Sequence, residues 1–518
     1  MKVQDTDIEK DENPCYLGVR LDARLTFKPH IEDISRKVST RLNLLKKLAS
    51  SNWGANKSSL RQLYTGYVRA IFDYSAPLQA TASKSNQDLL DRKQSQALHF
   101  VCGALRTTPT SACEIDANIE PLKIRRDRNT VLTLERFQRM EDTNPCKMMV
   151  KNWTPRDRLK KTSFLREATK LSQNQNFPTE REYLSIIPET PPHQDLKKPT
   201  LHATLLEEAD KSTPQPILKL LTYETIDRYP KDIVHAYTDG SAVRATLNGG
   251  YGSIIFTPNT DPIELSGPCG AHCSNYEAEI VAIQKTLNTL LNCFEDGTVE
   301  PTDIVLFSDS QSAILAIEGW QGKASGNIED IIITCDRIMS LYTVTICIQW
   351  IPGHTDILNN EKADKLAKAG SRMHQETKET PYDTVKQIAK QNSKEVWYNN
   401  WMSEEKGRPL FKYLPTPNPK DAIHSLNRKD YCNIFRLRTT HTTLFDHRNR
   451  FDPLVAPMCR HCGYHRETVE HHLLHCRPLT ELRKELLPKY PNIENCLYGN
   501  RAQLENTAKY HVMALRGL

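Results

Sequence analysis

Apolar positions set the first pattern in this chain. Ile31, Ile34, Val38, Leu42 and Leu45 recur at intervals of three and four, and Leu60, Tyr64, Tyr67, Ile71 and Tyr74 repeat the rhythm. Each stripe predicts a helix with one buried face. A third helix is predicted from Leu89 to Leu105, ending near Thr107-Thr108-Pro109, and a fourth from Leu122 to Met140, studded with Arg125, Arg126, Arg128, Arg136 and Arg139. Ahead of them, CYLGVRL alternates as a strand would, and Lys28-Pro29 predicts a turn. Residues 1–150 therefore form an α-helical block.

The rhythm changes from Ile233 onward. IVHAYTDGS, GGYGSIIF and PIELSGP read as an antiparallel meander. Ser274 and Glu277 form a capping box ahead of an apolar stripe of Ile280, Ile283 and Leu287, which predicts an amphipathic helix. DIVLF carries no charge inside it and reads as a strand buried on both faces, with Ser310 capping the next helix. VTICIQWIPGH is a strand running into a loop, and Asn360 opens a last helix. This alternation predicts an α/β domain over residues 230–371. Before it, residues 151–229 hold seven prolines between positions 178 and 216 and read as a Pro-rich linker. After it come a polar linker with a helix bearing Trp397 and Trp401 (372–430) and a Cys/His-bearing segment (431–518).

Composition narrows the function classes. No run approaches the roughly 18 apolar residues of a membrane span, and the N-terminal MKVQDTDIEKDENP is polar and acidic, so neither a membrane nor a secreted protein is expected. The 14 cysteines are spread along the chain, which predicts reduced thiols and an intracellular location, nuclear or cytoplasmic or both. The net charge of +6 hides an asymmetry, because residues 20–170 carry 29 Lys and Arg against 15 Asp and Glu, a balance of +14. A basic helical block is expected to contact nucleic acid by displacing counterions from phosphates.

Four acids fall near element ends: Asp239 at the close of the first strand, Glu279 early on a helix, Asp309 at the end of the buried strand and Asp364 near the start of the last helix. Carboxylates gathered this way repel one another unless divalent cations sit between them, and hard oxygen ligands select Mg²⁺ or Mn²⁺. Two such ions about 4 Å apart are suited to phosphodiester hydrolysis. His354, on the loop ten positions before Asp364, could carry protons.

In order, TDGS (Asp239), YEAEIVAI (Glu279), SDSQSA (Asp309), WIPGH (His354) and NEKADKLA (Asp364) resemble the type 1 ribonuclease H family. The resemblance implies a five-stranded mixed sheet flanked by helices, cleaving the RNA strand of RNA/DNA hybrids with two Mg²⁺ ions. It makes Asp239, Glu279, Asp309 and Asp364 the metal ligands and His354 the loop histidine, with Gln311 and the Ser274-Asn275 pair toward the hybrid. Two departures stand out: Asn359 where the family commonly has Gly, and only Lys323 as a basic residue in GWQGKASGNIED, so that a basic hybrid-binding protrusion is missing.

Cys459, Cys462, His471 and Cys476 give C-x2-C-x8-H-x4-C, a spacing that suits one tetrahedral structural Zn²⁺, with His472 and His475 as competing ligands. This segment, with RLRTTHTTL upstream, and the front block's LDRKQSQALHFVCGALRTTPTSACEIDANIEPL resemble the C-terminal part of non-LTR retrotransposon polyproteins, following the reverse-transcriptase palm. That resemblance makes the helical block thumb-like. No Asp-Asp dipeptide occurs, so DNA synthesis is not expected. The expected activity is an endoribonuclease within a retroelement-derived fragment; the alternative is a catalytically silent, nucleic-acid-binding relic.

Overall fold

The computed structural model describes residues 2–3, 6–7, 11–155, 162–184, 196–207, 209, 213–320, 326–463 and 465–516. Pro188, Pro191, Pro192 and Lys323 lie outside them. The chain divides into two compact units, one of Met1–Leu134, Thr154–Gln175 and Lys390–Leu518, the other of Glu135–Trp153 and Asn176–Ala389.

The second unit is built on a mixed sheet of β1 (Thr200–His202), β2 (Val234–Val243), β3 (Leu247–Phe256), β4 (Ile263–Gly270), β5 (Ile304–Ser308) and β6 (Ile346–Trp350), in the order β1-β6-β5-β2-β3-β4. The first four in that order run parallel, and β3 and β4 complete an antiparallel meander with β2. Every residue of β5 is buried because its side chains alternate into two cores. Ile304 and Leu306 meet the stripe of α2 (Asn275–Glu295), Ile280, Ile283, Leu287 and Leu290. On the other face, Val305 and Phe307 pack with Ile226 of α1 (Gln215–Asp227) and Ala363 of α5 (Leu358–Ser371). Helices α3 (Gln311–Glu318) and α4 (Gly326–Tyr342) join the α2 side.

The sheet therefore has six strands where five were expected. The added strand, β1, lies inside the stretch read as a linker and pairs with Cys347–Gln349 of β6. Three residues are too few to display a period, and their pairing rests on backbone hydrogen bonds that composition does not encode. The same stretch also holds α1 and a helix over Phe164–Ser172.

In the first unit the N-terminal helices and the Cys/His segment, read from the sequence as separate blocks, share one core. Ile31, Val38, Tyr64 and Leu98 belong to the same buried cluster as Trp401, Phe435, Leu473 and Tyr510. Arg428, almost fully buried, donates to the carbonyls of Ser50 (2.9 Å), Val101 (2.6 Å) and Phe100 (2.6 Å), satisfying chain ends of two N-terminal helices, Lys28–Leu48 and Lys84–Cys102. Pro29, expected in a turn, instead sits in the first turn of the Lys28–Leu48 helix, where its missing N–H is harmless. The expected Cys15–Leu21 strand is a tight hairpin of Cys15–Tyr16 and Val19–Arg20, turned by Leu17 and Gly18 at positive φ.

Two readings of the helical block change. The second stripe shifts, because Tyr64–Val68 is a π-helical turn: the buried line is Leu60, Tyr64, Val68 and Phe72, while Tyr67 and Tyr74 are exposed. The arginines of Leu122–Gln138 are largely consumed internally. Arg125 is paired with Asp73 at 2.6 Å and Glu120 at 2.9 Å, Arg128 with Glu120 at 2.5 Å, and buried Arg126 with Asp91 at 3.2 Å. In the second unit, buried Arg139 donates to the Thr380 carbonyl.

Helix α5 lies against β3 only because Gly250 and Gly252 lack side chains. A Cβ on Gly252 would collide with backbone atoms of Ala363 and Ala367. Gly252→Ala is expected to displace α5 and to lower the stability of this unit by about 1–3 kcal/mol, measured by chemical unfolding.

Candidate functional site

Strand register creates the acidic cluster. β2 and β5 pair in parallel with Thr238 opposite Ser308, so the next residues, Asp239 and Asp309, emerge side by side. Asp239 lies within β2, which runs on to Val243, and does not close the strand as expected; Asp309 does follow the last residue of β5. Glu279, the fifth residue of α2, completes the group because Gly240 has no Cβ: one there would run into the backbone of Ala278 and Glu279. A ligand oxygen from each of Asp239, Glu279 and Asp309 lies within 4.8 Å of the others. Asp364 sits in the second turn of α5, which starts at Leu358 rather than Asn360, and its carboxylate accepts from Lys368 at 2.6 Å.

Asp239 and Glu279 are buried. Burial first, then the charges of Asp309 and Asp364, pushes the Asp239 carboxyl up to about 8. Glu279 is held well above the usual carboxylate range by burial and by Asp239 and Asp309, against a hydrogen bond from the Gly240 N–H. Asp309 is raised by burial, opposed by the His354 charge and a hydrogen bond from Asn360. One Glu279 oxygen, Oε2, is buried and has no hydrogen-bond partner. Two unit charges 4.8 Å apart repel by on the order of 3 kcal/mol at an effective dielectric constant of about 20, more than one hydrogen bond returns. Such a cluster can shed its repulsion only by binding protons or cations, and an all-oxygen donor set with an orphaned buried oxygen fits a hard divalent ion.

Comparison with known proteins follows the same residues. Residues 231–372 match the family described as RNase H. The chain is 31% identical over 151 residues to Ribonuclease H of Jannaschia sp. (strain CCS1), a match covering 26% of this chain and 88% of that protein. The chain belongs to the ribonuclease H family. Ribonuclease H1 of Homo sapiens is 29% identical over 162 residues, covering 29% of this chain and 53% of that one. A probable RNA-directed DNA polymerase from transposon BS of Drosophila melanogaster is 24% identical over 132 residues, 26% of this chain and 15% of that protein's length. Residues 231–372 are thus the ribonuclease H enzyme portion of the chain, and RNA/DNA-hybrid ribonuclease function is supported by these relatives.

The remaining expected residues of the ribonuclease H portion take different places. His354 is exposed on the loop after β6, at φ 56°. Ser274 is buried, and its hydroxyl caps α2 by accepting from the Glu277 N–H at 3.1 Å. Asn275 is exposed beside it. Gln311, the first residue of α3, donates its amide to the Ala203 carbonyl at 2.7 Å. Asn359 sits on α5, hydrogen-bonded to the Tyr237 hydroxyl. Three residues escaped the sequence reading: Asn360 on Asp309, Lys368 on Asp364, and Gly353, where a Cβ would strike the Asp309 carboxylate. Of the three, only Lys368 left a local signal in the sequence, its i+4 spacing from Asp364.

In the other unit, Cys459, Cys462, His471 and Cys476 also converge, with ligand atoms within 4.8 Å of one another. Cys459 and Cys476 sulfurs are 3.7 Å apart, and Cys462 Sγ lies 3.5 Å from His471 Nε2. The competing histidines are elsewhere: His472 is buried against His511 at 3.0 Å, and His475 points to solvent, 3.8 Å from Glu470. Burial and the neighbouring Cys459 push the Cys476 thiol up to about 12, a cost that a soft divalent cation relieves by taking the thiolate.

Three cations of the block also gather. A groove of about 590 Å³ between the Lys28–Leu48 and Lys84–Cys102 helices is lined by Asn43, Lys46, Lys93, Gln96, His99 and Arg106 and by no acid. Among the described residues, Lys46, Lys93 and Arg106 take part in no ion pair.

The raised Asp239 carboxyl has a sign. Its ordinary value is 3.8, so without cations the folded state loses stability as pH rises from about 4 toward 8, where the folded carboxyl finally ionises. In chelator, Asp239→Asn is expected to stabilise this unit at pH 7.5 by on the order of 1–3 kcal/mol and to change little at pH 4, read by thermal unfolding at both pH values. Equal effects at the two pH values would contradict the charge argument.

Proposed function

We propose that residues 231–372 hydrolyse the RNA strand of RNA/DNA hybrids, using two Mg²⁺ or Mn²⁺ ions held by Asp239, Glu279, Asp309 and Asp364. One observation carries this reading: three carboxylates drawn within 4.8 Å, with one buried oxygen left unpartnered. Bound there, divalent ions would supply Lewis acidity to a scissile phosphate. The chain's own residues do the rest. The sheet and α2 hold the ligand oxygens at fixed spacing, so no reorganisation is required when substrate arrives. Asn360 orients Asp309, and Lys368 balances Asp364. His354, exposed beside Asp309, carries a proton to the departing oxygen. Asn275 and Gln311 face the hybrid, recognised by shape and 2′-hydroxyls rather than by base sequence.

The surrounding chain fits a retroelement origin, in line with the similarity to the transposon polymerase. Its Cys459, Cys462, His471 and Cys476 hold a structural Zn²⁺, with no ligand position left for chemistry. The Lys46, Lys93 and Arg106 groove is one part of the basic block suited to phosphodiester backbones, since no acid lines it. An intracellular site of action, nuclear or cytoplasmic, accords with these thiols.

Cleavage of an end-labelled RNA/DNA hybrid by purified protein tests the activity. Mg²⁺-dependent cutting of the RNA strand is expected, reduced on the order of 10³-fold or more in Asp309→Asn. Binding of hybrid without cutting would instead identify a silent relic. Zinc is tested separately: one Zn per chain by elemental analysis is expected, with chelation destabilising the first unit by several kcal/mol, on the order of 3 or more. A metal-free chain of undiminished stability would refute the zinc site.

A further inference from the structure

The segment ahead of the family match reaches the active site. Helix α1 begins at Gln215, outside the matched 231–372, and the Gln215 side-chain amide donates from Nε2 to the backbone carbonyl of His354 at 3.0 Å. The loop that it touches is under conformational load. His354 and Asp356 both hold positive φ, 56° and 55°, without being glycine. Each such residue resists this conformation by roughly 1–2 kcal/mol. The loop is anchored on its inner side by buried Thr355, whose hydroxyl donates to the Pro352 carbonyl at 2.9 Å, and by buried Ile357. Its outer side is where the imidazole projects, and there Gln215 supplies a bond from outside the loop. Gly353 of the same loop rests against the Asp309 carboxylate, so a shift of the backbone at His354 is felt directly at the acidic cluster.

We infer that Gln215 is a positioning residue of the ribonuclease site: it pins the left-handed His354 peptide and so fixes where the imidazole meets the substrate. The same extension lends Ala203 to Gln311 and Thr204 to Gln349, at 2.7 and 2.8 Å, so Ala203, Thr204 and Gln215 brace this part of the unit at three points. The inference rests on the proposed ribonuclease reading for the role of His354, but the pin itself does not.

Gln215→Ala in the full chain is the test. Turnover of a labelled hybrid is expected to fall about 3- to 10-fold with KM changed by less than about twofold, as an exposed hydrogen bond of this kind would give. Gln215→Lys, which keeps a donor of suitable reach, is expected to recover most of the loss. In a His354→Ala background, Gln215→Ala should add nothing. An equal loss in that background, or a fall in melting midpoint with kcat unchanged, would overturn the assignment. Backbone order parameters of His354 and Thr355 by selective ¹⁵N labelling should drop in Gln215→Ala; unchanged order would overturn the pin even if the wild-type chain proved inactive. A wild-type chain that fails to cut hybrid while the loop still loosens would sink the ribonuclease reading alone.

Discussion

Like charges held together against their repulsion are the constraint on which the catalytic unit depends. Asp239 and Asp309 cannot separate without breaking the in-register pairing of two central strands, and Glu279 cannot retreat while its helix is seated on Gly240. The backbone, stabilised by two apolar cores on opposite faces of the sheet, supplies the force that side chains alone could not. Burying a few leucine-sized side chains yields on the order of 2 kcal/mol each, so the cores readily outweigh the repulsion. Stability and affinity for cations are thereby set in opposition, as is common where a site is prepared before its ligand arrives.

The other unit handles charge in the opposite way. Several of its buried charges are matched: Lys57 lies 3.2 Å from Asp116, and Arg438 grips Asp421 with two hydrogen bonds of 2.6 and 3.0 Å. Buried cations such as Arg428 serve as caps for helix ends and tie distant segments together. Pairs such as Arg125 with Asp73 and Arg126 with Asp91 withdraw part of the helical block's positive charge from its surface.

Much of the catalytic unit was legible in advance, for identifiable reasons. The uncharged run IVLF has one good solution, a central strand, and acids near the ends of such strands point to a site. The zinc-type spacing singled out four side chains that the fold does bring together, although only packing of His472 against His511 sets that histidine apart. What stayed hidden was non-local or backbone-borne. β1 has no side-chain signature, the π-helical turn at Tyr64 rotates a face by an insertion that no periodicity announces, and an arginine's charge does not reveal that its guanidinium will be buried. The shared core of residues far apart in the chain is of the same kind: each helix showed an apolar face, but nothing local named its partner.

That shared core bears on how the polypeptide is made. Because one unit is assembled from both ends of the chain and the other from its middle, the ribosome finishes the ribonuclease H unit at Ala389 while the first unit still awaits Lys390–Leu518. The apolar surface of the early helices that meets Lys390–Leu518 therefore stays uncovered until that segment is made, and the interrupted unit closes last. Vectorial synthesis thus favours completing the nuclease unit before its companion.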